Sequence, residues 1–318
     1  MYGSILVPLD GTAFGERALP AAVAVARRTG AALTLAHVHA GGGDGALARE
    51  RGYLEAVRER VVAAAEVPVR VVLGDGPVAK TLADAAKGAD LVVLATHAHG
   101  GVSRLWHHGV AAYLSRHLSV PLLMVRDEGP VDELADGPEF GHVLLPLGGS
   151  AYSEHVLDHA LELGRTFGAH FTLLEVVPPP IQLGYTFEAQ AGHVNQDELD
   201  ARRRQAQAYL EGIAEGLRSR GVSAAAAVEV SASPADGIVR YATREGAGLI
   251  ALETHGLGGV AHALSEGVVA EVLRHSPVPV LVHHDTPAAD REREDAYASA
   301  IGRGMGWSRA AAPHAGQP

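Results

Sequence analysis

The chain contains no cysteine. That absence excludes disulfides, thiol nucleophiles and thiolate metal sites together, and it suits a reducing cytoplasm. Positive charge is also scarce, with 26 Lys and Arg against 37 Asp and Glu and a formal net charge of -11. Nucleic-acid binders draw most of their affinity from clustered Lys and Arg, so no nucleic-acid partner is expected. A small anion held by backbone N–H groups needs no net positive charge and stays compatible with this balance. Long apolar runs are missing as well: the longest are about eight or nine residues, against the ~20 that a spanning helix needs. The opening MYGSILVPLD has no basic segment before its apolar residues, so neither an export signal nor a membrane partner is expected.

What is present is a globular composition, 47% hydrophobic and 20% charged over 318 residues, long enough for two ordinary domains. The stretch Leu91 to Asp127 occurs again as Leu249 to Asp285, with about 16 of 37 positions identical. Thr96, His97, Gly100, Gly101, Gly109, Val110, Arg116, His117 and Pro121 return as Thr254, His255, Gly258, Gly259, Gly267, Val268, Arg274, His275 and Pro279. Each copy reads as an apolar strand, a glycine-containing loop, a short helix and a second strand opened by Val-Pro. That is a βαβ crossover with parallel strands, whose loop lies at a strand's carboxyl end facing a helix N-terminus, where such folds place ligands.

The earlier part of each copy extends the pattern. Ser4 to Leu9, Leu33 to Val38 and Val67 to Leu73 read as strands, separated by helical stretches that end at Gly30 and near Ala65. The pattern restarts at His142, where His-Val-Leu-Leu-Pro-Leu-Gly-Gly-Ser lies over Ile-Leu-Val-Pro-Leu-Asp-Gly-Thr of the first copy. The result is an α/β fold of two tandem doubly wound parallel five-stranded sheets with helices on both faces. Domain 1 spans 1–127, a linker 128–140, and domain 2 141–285 with an insertion at about 178–197; the tail 286–318 lacks apolar periodicity and reads as disordered. After the insertion, Asn195 and Glu198 have the spacing of a capping box, and Leu199, Ala206, Leu210, Ile213 and Leu217 form a helical stripe.

Two strands ending Pro-x-Asp-Gly-Thr or Pro-x-Gly-Gly-Ser, second strands ending His-Val or Glu-Val, and Thr-His-x-x-Gly-Gly ahead of Gly-Val and Val-Pro strongly resemble a tandem universal stress protein of the UspA type. The resemblance implies strand order 3-2-1-4-5, a stress-response binding or regulatory module, and ATP with Mg2+ as the ligand where one is bound. It places the adenine nucleotide against Pro8, Asp10 and Val38, with Thr96, His97, Gly100, His108, Gly109 and Val110 around the phosphates. The family's phosphate loop, Gly-x-x-Gly-x9-Gly-Ser/Thr, is altered here: Ala95 and Ala98 replace the leading glycines, His108 the third, and Gly109 the hydroxyl residue. At most weak ATP binding is expected in the first domain. The second site, around Pro146, Val176, Gly256, Gly267 and Val268, is degenerate. Gly148 stands for the Asp, and Glu253 and Glu266 replace two glycines, so two carboxylates are expected to face a triphosphate and repel it.

Rival readings use the same rim. His37-x-His39, His97-x-His99 and His107-His108 admit a His-rich zinc or nickel site, although His37 and His97 already belong to the family's own elements. No Gly-x-Ser-x-Gly, no Gly-x4-Gly-Lys-Ser/Thr and no His-x-Gly-His is present, so the chain is not expected to be an enzyme. The alternative to a nucleotide-responsive module is a nucleotide-free scaffold or protein-interaction module. In either case the resemblance implies that the last strand of each domain pairs with the other, an intrachain pseudo-dimer that can itself form a homodimer.

Overall fold

The computed structural model of the chain describes residues 2–39, 41, 44–96, 107–126, 134, 137–148, 156–182, 193–254 and 266–284. The tail at 286–318, most of the insertion and the loops 97–106 and 255–265 lie outside the described residues. The first half runs β1 (Ser4–Pro8), α1 (Ala13–Glu16), α2 (Leu19–Thr29), β2 (Ala32–His39), α3 (Asp44–Ala65), β3 (Val69–Asp75), α4 (Val78–Ala86), β4 (Leu91–Thr96), α5 (His107–His117) and β5 (Leu122–Arg126). The second runs β6 (His142–Pro146), α6 (Val156–Thr166), β7 (His170–Val177), β8 (Ile181–Gln182), β9 (His193–Val194), α7 (Gln196–Ser219), β10 (Ala224–Val230), α8 (Pro234–Arg244), β11 (Leu249–Thr254), α9 (Glu266–His275) and β12 (Val280–His284).

Each half has the expected order 3-2-1-4-5, but the two sheets are one. The strands run β10-β7-β6-β11-β12-β5-β4-β1-β2-β3, and all neighbours are parallel except β12 and β5. These two last strands pair antiparallel, with Val280 opposite Met124, Leu281 opposite Leu123 and Val282 opposite Leu122. Both are apolar on both faces, so a free edge on either would leave a row of amides and carbonyls unpaired beside greasy side chains. Pairing within the chain removes both edges at once.

Alternation along the strands then sorts the interior by face, not by half. Leu91, Val93, Leu123, Leu249, Ala251 and Leu281 join one core beneath α2, α3, α6 and α7. Val92, Leu94, Leu122, Met124, Ile250, Val280 and Val282 join the other, beneath α4, α5, α8 and α9. Each core contains residues of both halves. The segment between the halves is also anchored: Leu134 and Phe140 are buried, and the Phe140 ring meets Phe167 edge-on at 4.8 Å. Gly137 lies so close to α2 that an added Cβ would sit 2.3 Å from the Pro20 carbonyl oxygen.

The helix after the insertion starts as its sequence suggests, with Asn195 accepting from the Glu198 amide at 3.2 Å. Only half of the capping box forms. The Glu198 carboxylate turns outward and accepts from Arg202, one turn on, at 2.5 Å. All five residues of the expected stripe are buried.

His142, at the start of β6, is buried, with Nδ1 facing the Glu245 carbonyl at 3.3 Å and Nε2 facing the Thr172 hydroxyl at 2.9 Å. A carbonyl only accepts, so Nδ1 carries the hydrogen and Nε2 accepts from Thr172. Burial first, and the ring of His170 stacked at 4.0 Å second, push the His142 pKa below its usual value. The unfolded chain therefore takes up the proton at higher pH than the folded one, and stability is lost as pH falls below the unfolded histidine value of roughly 6.5. Urea unfolding at pH 7 and pH 5 should show this loss, and it should be smaller in His142→Phe, although that variant starts from lower stability at pH 7.

Candidate functional site

The sheet order reverses between β1 and β4, and again between β6 and β11. At the carboxyl ends of these strands the neighbouring loops diverge and leave a crevice. In the first half β1 ends at Pro8, and Gly11 follows at φ +82°, a left-handed angle that suits glycine. Asp10 Oδ1 accepts from the Thr12 amide at 2.9 Å and from its hydroxyl at 2.6 Å. Thr12 in turn caps α1, its hydroxyl accepting from the Gly15 amide at 3.5 Å. Gly15 is favoured for a different reason, because an added Cβ would lie 2.6 Å from Asp10 Oδ1 and displace that carboxylate from its turn. The carboxylate is thus oriented by its own turn.

The second strand supplies the facing wall. His37 Nδ1 donates to the Leu9 carbonyl at 2.8 Å, which fixes its tautomer, and His39 Nδ1 lies 2.7 Å from Glu50 Oε2. Val38 sits one residue past Pro8's reach: the ladder between β1 and β2 closes with Pro8 opposite Ala36 and Leu9 N–H donating to the Ala36 carbonyl. Val38 is in phase with Ala36, so its N–H and C=O point to the same side, beyond the end of β1. The Leu9 carbonyl that would otherwise take the Val38 amide is held by the His37 ring. Among the described residues, Val38 has no backbone partner on that side. Its side chain is buried in the core under α4.

Around this point the expected residues divide. Pro8, Asp10 and Val38 share the rim of one crevice, and Thr96 ends β4 beside them. His108, Gly109 and Val110 fall in the first turn of α5, with Val110 buried; His97 and Gly100 lie outside the described residues. Ala95 is ordinary extended strand at negative φ, so its methyl, unlike one at a left-handed position, is strain-free. An added Cβ at Gly109 would meet nothing within 4 Å, and its φ needs no glycine. Between these elements Pro8, Phe14, Gly15, Leu94, Ala95, Val110, Ala111 and Leu114 enclose only about 20 Å³, room for roughly one water. Phe14, Thr12 and Glu50 escaped the sequence reading. The Asp-Gly-Thr turn signalled Thr12, whereas nothing local marked Phe14 as the side chain that narrows the crevice.

The second half is rebuilt in the same places. Leu147 N–H donates to the Leu174 carbonyl at 2.8 Å, just as Leu9 does to Ala36. Pro146 ends β6, Gly148 follows in place of Asp10, and Val176 keeps the place of Val38. Glu175 stands where His37 does, and burial pushes its carboxyl above the usual range. Val177, Leu199 and Ala206 form a small apolar cluster, the counterpart of the His39–Glu50 contact. Gly267 and Val268 lie in the first turn of α9, which Glu266 begins; Gly256 is outside the described residues.

Glu253 departs from expectation. It does not offer its charge to a phosphate loop: it is the fifth residue of β11, in phase with Leu249 and Ala251, and only 3% exposed. Its carboxylate lies 3.1 Å from Nδ1 of His283, its neighbour on β12, and the His159 ring of α6 packs on that histidine at 4.2 Å. Strand parity decides this, since residues two apart share a face.

Of the histidines in the metal reading, His97 and His99 lie outside the described residues. His37 Nδ1 is committed to Leu9 and His39 Nδ1 faces Glu50. Among the described residues no three His, Asp or Glu are grouped to hold an ion. No helix among them is long and apolar enough to cross a membrane.

Fold and crevices define a tandem, pseudo-symmetric doubly wound α/β protein with one ligand-type crevice per half, of which only the first keeps an acidic turn opposite an open strand end. The model of the universal stress protein family matches residues 1–126 and 139–284, and the chain belongs to that family. Among solved structures it is similar to a universal stress protein from Archaeoglobus fulgidus, at 15% identity and TM-score 0.66, covering 88% of this chain and 98% of that one. A Pseudomonas aeruginosa protein carrying the same family name covers 93% and 98% at 18% identity and TM-score 0.58. A functionally unknown protein from the same species has TM-score 0.56 with the same identity and coverage. At these identities the likeness is one of fold. No curated protein matches the chain.

Proposed function

We propose that the chain is a stress-response binding module without catalytic activity, whose first half takes an adenine nucleotide weakly and whose second half takes none. The Val38 peptide carries this reading: a donor and an acceptor left side by side beyond the end of β1, facing the Asp10 turn, match the paired acceptor and donor of an adenine edge. Against tight binding stands the crevice itself. A ligand of nucleotide size needs a few hundred Å³, and the gap between Pro8, Phe14 and the first turn of α5 holds about one water, so any ligand group entering that gap must displace Phe14 or α5, which subtracts from affinity. Mg2+ would arrive on the phosphates rather than in a protein cage. In the second half Gly148 offers no carboxylate and Glu175 puts a half-buried acid where His37 stood.

Thermal unfolding with and without Mg-ATP tests the proposal. At five times the dissociation constant the ligand adds about 1 kcal/mol, or a rise of about 2 °C in a protein of this size. The rise should vanish in Asp10→Ala, compared as a shift because the turn itself is weakened. It should grow in Gly109→Ser, where the serine fits without strain and supplies a phosphate donor. No rise in either the wild type or Gly109→Ser would leave a nucleotide-free scaffold as the function, with residues 178–197 the first place to seek a partner.

A further inference from the structure

A second cavity lies away from both switch points. It lies between the halves, where α2 and α6 approach each other across the pseudo-two-fold, and it encloses about 490 Å³, within the range of small-molecule sites. Arg28 and Thr29 line it from the last turn of α2, Arg165 and Thr166 from the last turn of α6, and Arg220 from the end of α7. Leu161 is among the lining residues, and Asp158 and Glu162 supply acidic groups.

The polar groups are unequally committed. Both threonine hydroxyls are turned back on their own helices, Thr29 to the Val25 carbonyl at 2.9 Å and Thr166 to the Glu162 carbonyl at 3.0 Å. The Arg28 guanidinium carbon lies over the Phe167 ring, 4.4 Å from its centre, and the guanidinium is 3.9 Å from the exposed Glu139 carboxylate. For the side chains of Arg165, Arg220 and Asp158, no hydrogen bond or ion pair is formed among the described residues. Three arginines thus line one cavity together with two carboxylates, and Arg165, Arg220 and Asp158 are exposed there without a protein partner among the described residues. Arginine at a helix C-terminus offsets the helix dipole, which accounts for Arg28 and Arg165 one at a time. It does not account for their convergence with Arg220 on a space of this size.

We propose that this interlobe cleft binds a phosphorylated small metabolite bearing hydroxyl or amino groups. The phosphate is forked by Arg165 and Arg220, with Arg28 held ready by Phe167, because planar guanidinium groups match phosphate oxygens in pairs. The hydroxyl or amino groups donate to Asp158 and Glu162. A bare anion would meet the two carboxylates unrelieved.

Titration calorimetry on the full chain with glucose 6-phosphate and, separately, inorganic phosphate tests this. Glucose 6-phosphate should bind more tightly than inorganic phosphate, and its affinity should fall as salt rises. Arg165→Glu/Arg220→Glu should lower the affinity at least tenfold, and the milder Arg165→Gln/Arg220→Gln should do so in part, with circular dichroism confirming the fold of each. Asp158→Asn should weaken glucose 6-phosphate and not inorganic phosphate, whereas Asp10→Ala should change neither, which separates this site from the crevice of the first half. The proposal is overturned if the wild type binds neither probe at 10 mM, or if both double variants bind as the wild type does.

Discussion

Glu253→Ala is expected to cost the protein about 3–4 kcal/mol, the largest single loss outside the apolar interior, although the residue stands where a loop function would be sought. Its carboxylate is 3% exposed and the ring it holds, His283, 2%. Removing one member of a buried pair strands the other without its partner, and such breaks cost roughly 3–5 kcal/mol. The first half shows how the same two positions are filled without charge: Ala95 faces Val125 across β4 and β5, as Glu253 faces His283 across β11 and β12. Glu253→Ala/His283→Val copies that pair and should recover most of the loss, because neither polar group then remains to be satisfied. Urea unfolding of wild type, both single variants and the double variant gives the coupling energy directly. A double variant no more stable than Glu253→Ala would mean that His283 does not depend on Glu253.

The contrast between these positions shows what the sequence discloses and what it does not. The repeat and its parallel βαβ units are legible because apolar runs of about five residues must be buried on both faces, whereas the strand order and the pairing of the last strands rest on the family resemblance. The stripe on α7 is legible because its period is local. Glu253 misleads because alignment against a loop motif hides its strand parity: counted from Leu249 and Ala251 it falls on the core side, and its partner is 30 residues away. The small gap beside Pro8 is lined by Phe14, which α1 brings against β4. The interlobe cleft is less legible still. Its residues come from the ends of three helices, and only the antiparallel meeting of β5 and β12 brings α2 and α6 together.

That meeting yields the second large expected effect. Leu123 is fully buried on β5, directly opposite Leu281 of β12, in the core that runs beneath α2 and α6 alike. Leu123→Ala removes side-chain volume at the seam and should cost about 3 kcal/mol, since buried Leu→Ala changes cost roughly 2–5. The shape of the transition matters more than its midpoint. Were the halves independent domains, the variant would melt one of them early and leave the other unmoved. Each core is shared, however, so a hole at the seam weakens contacts of both halves. Differential scanning calorimetry should give a single transition in the wild type and in the variant, displaced downward as a whole by about 5 °C. Two separated transitions in Leu123→Ala would show that the ten-stranded sheet is two cooperative units joined at an edge. The arginine-lined cleft above the seam would then lack a rigid frame, and ligand affinity there should fall with the same substitution.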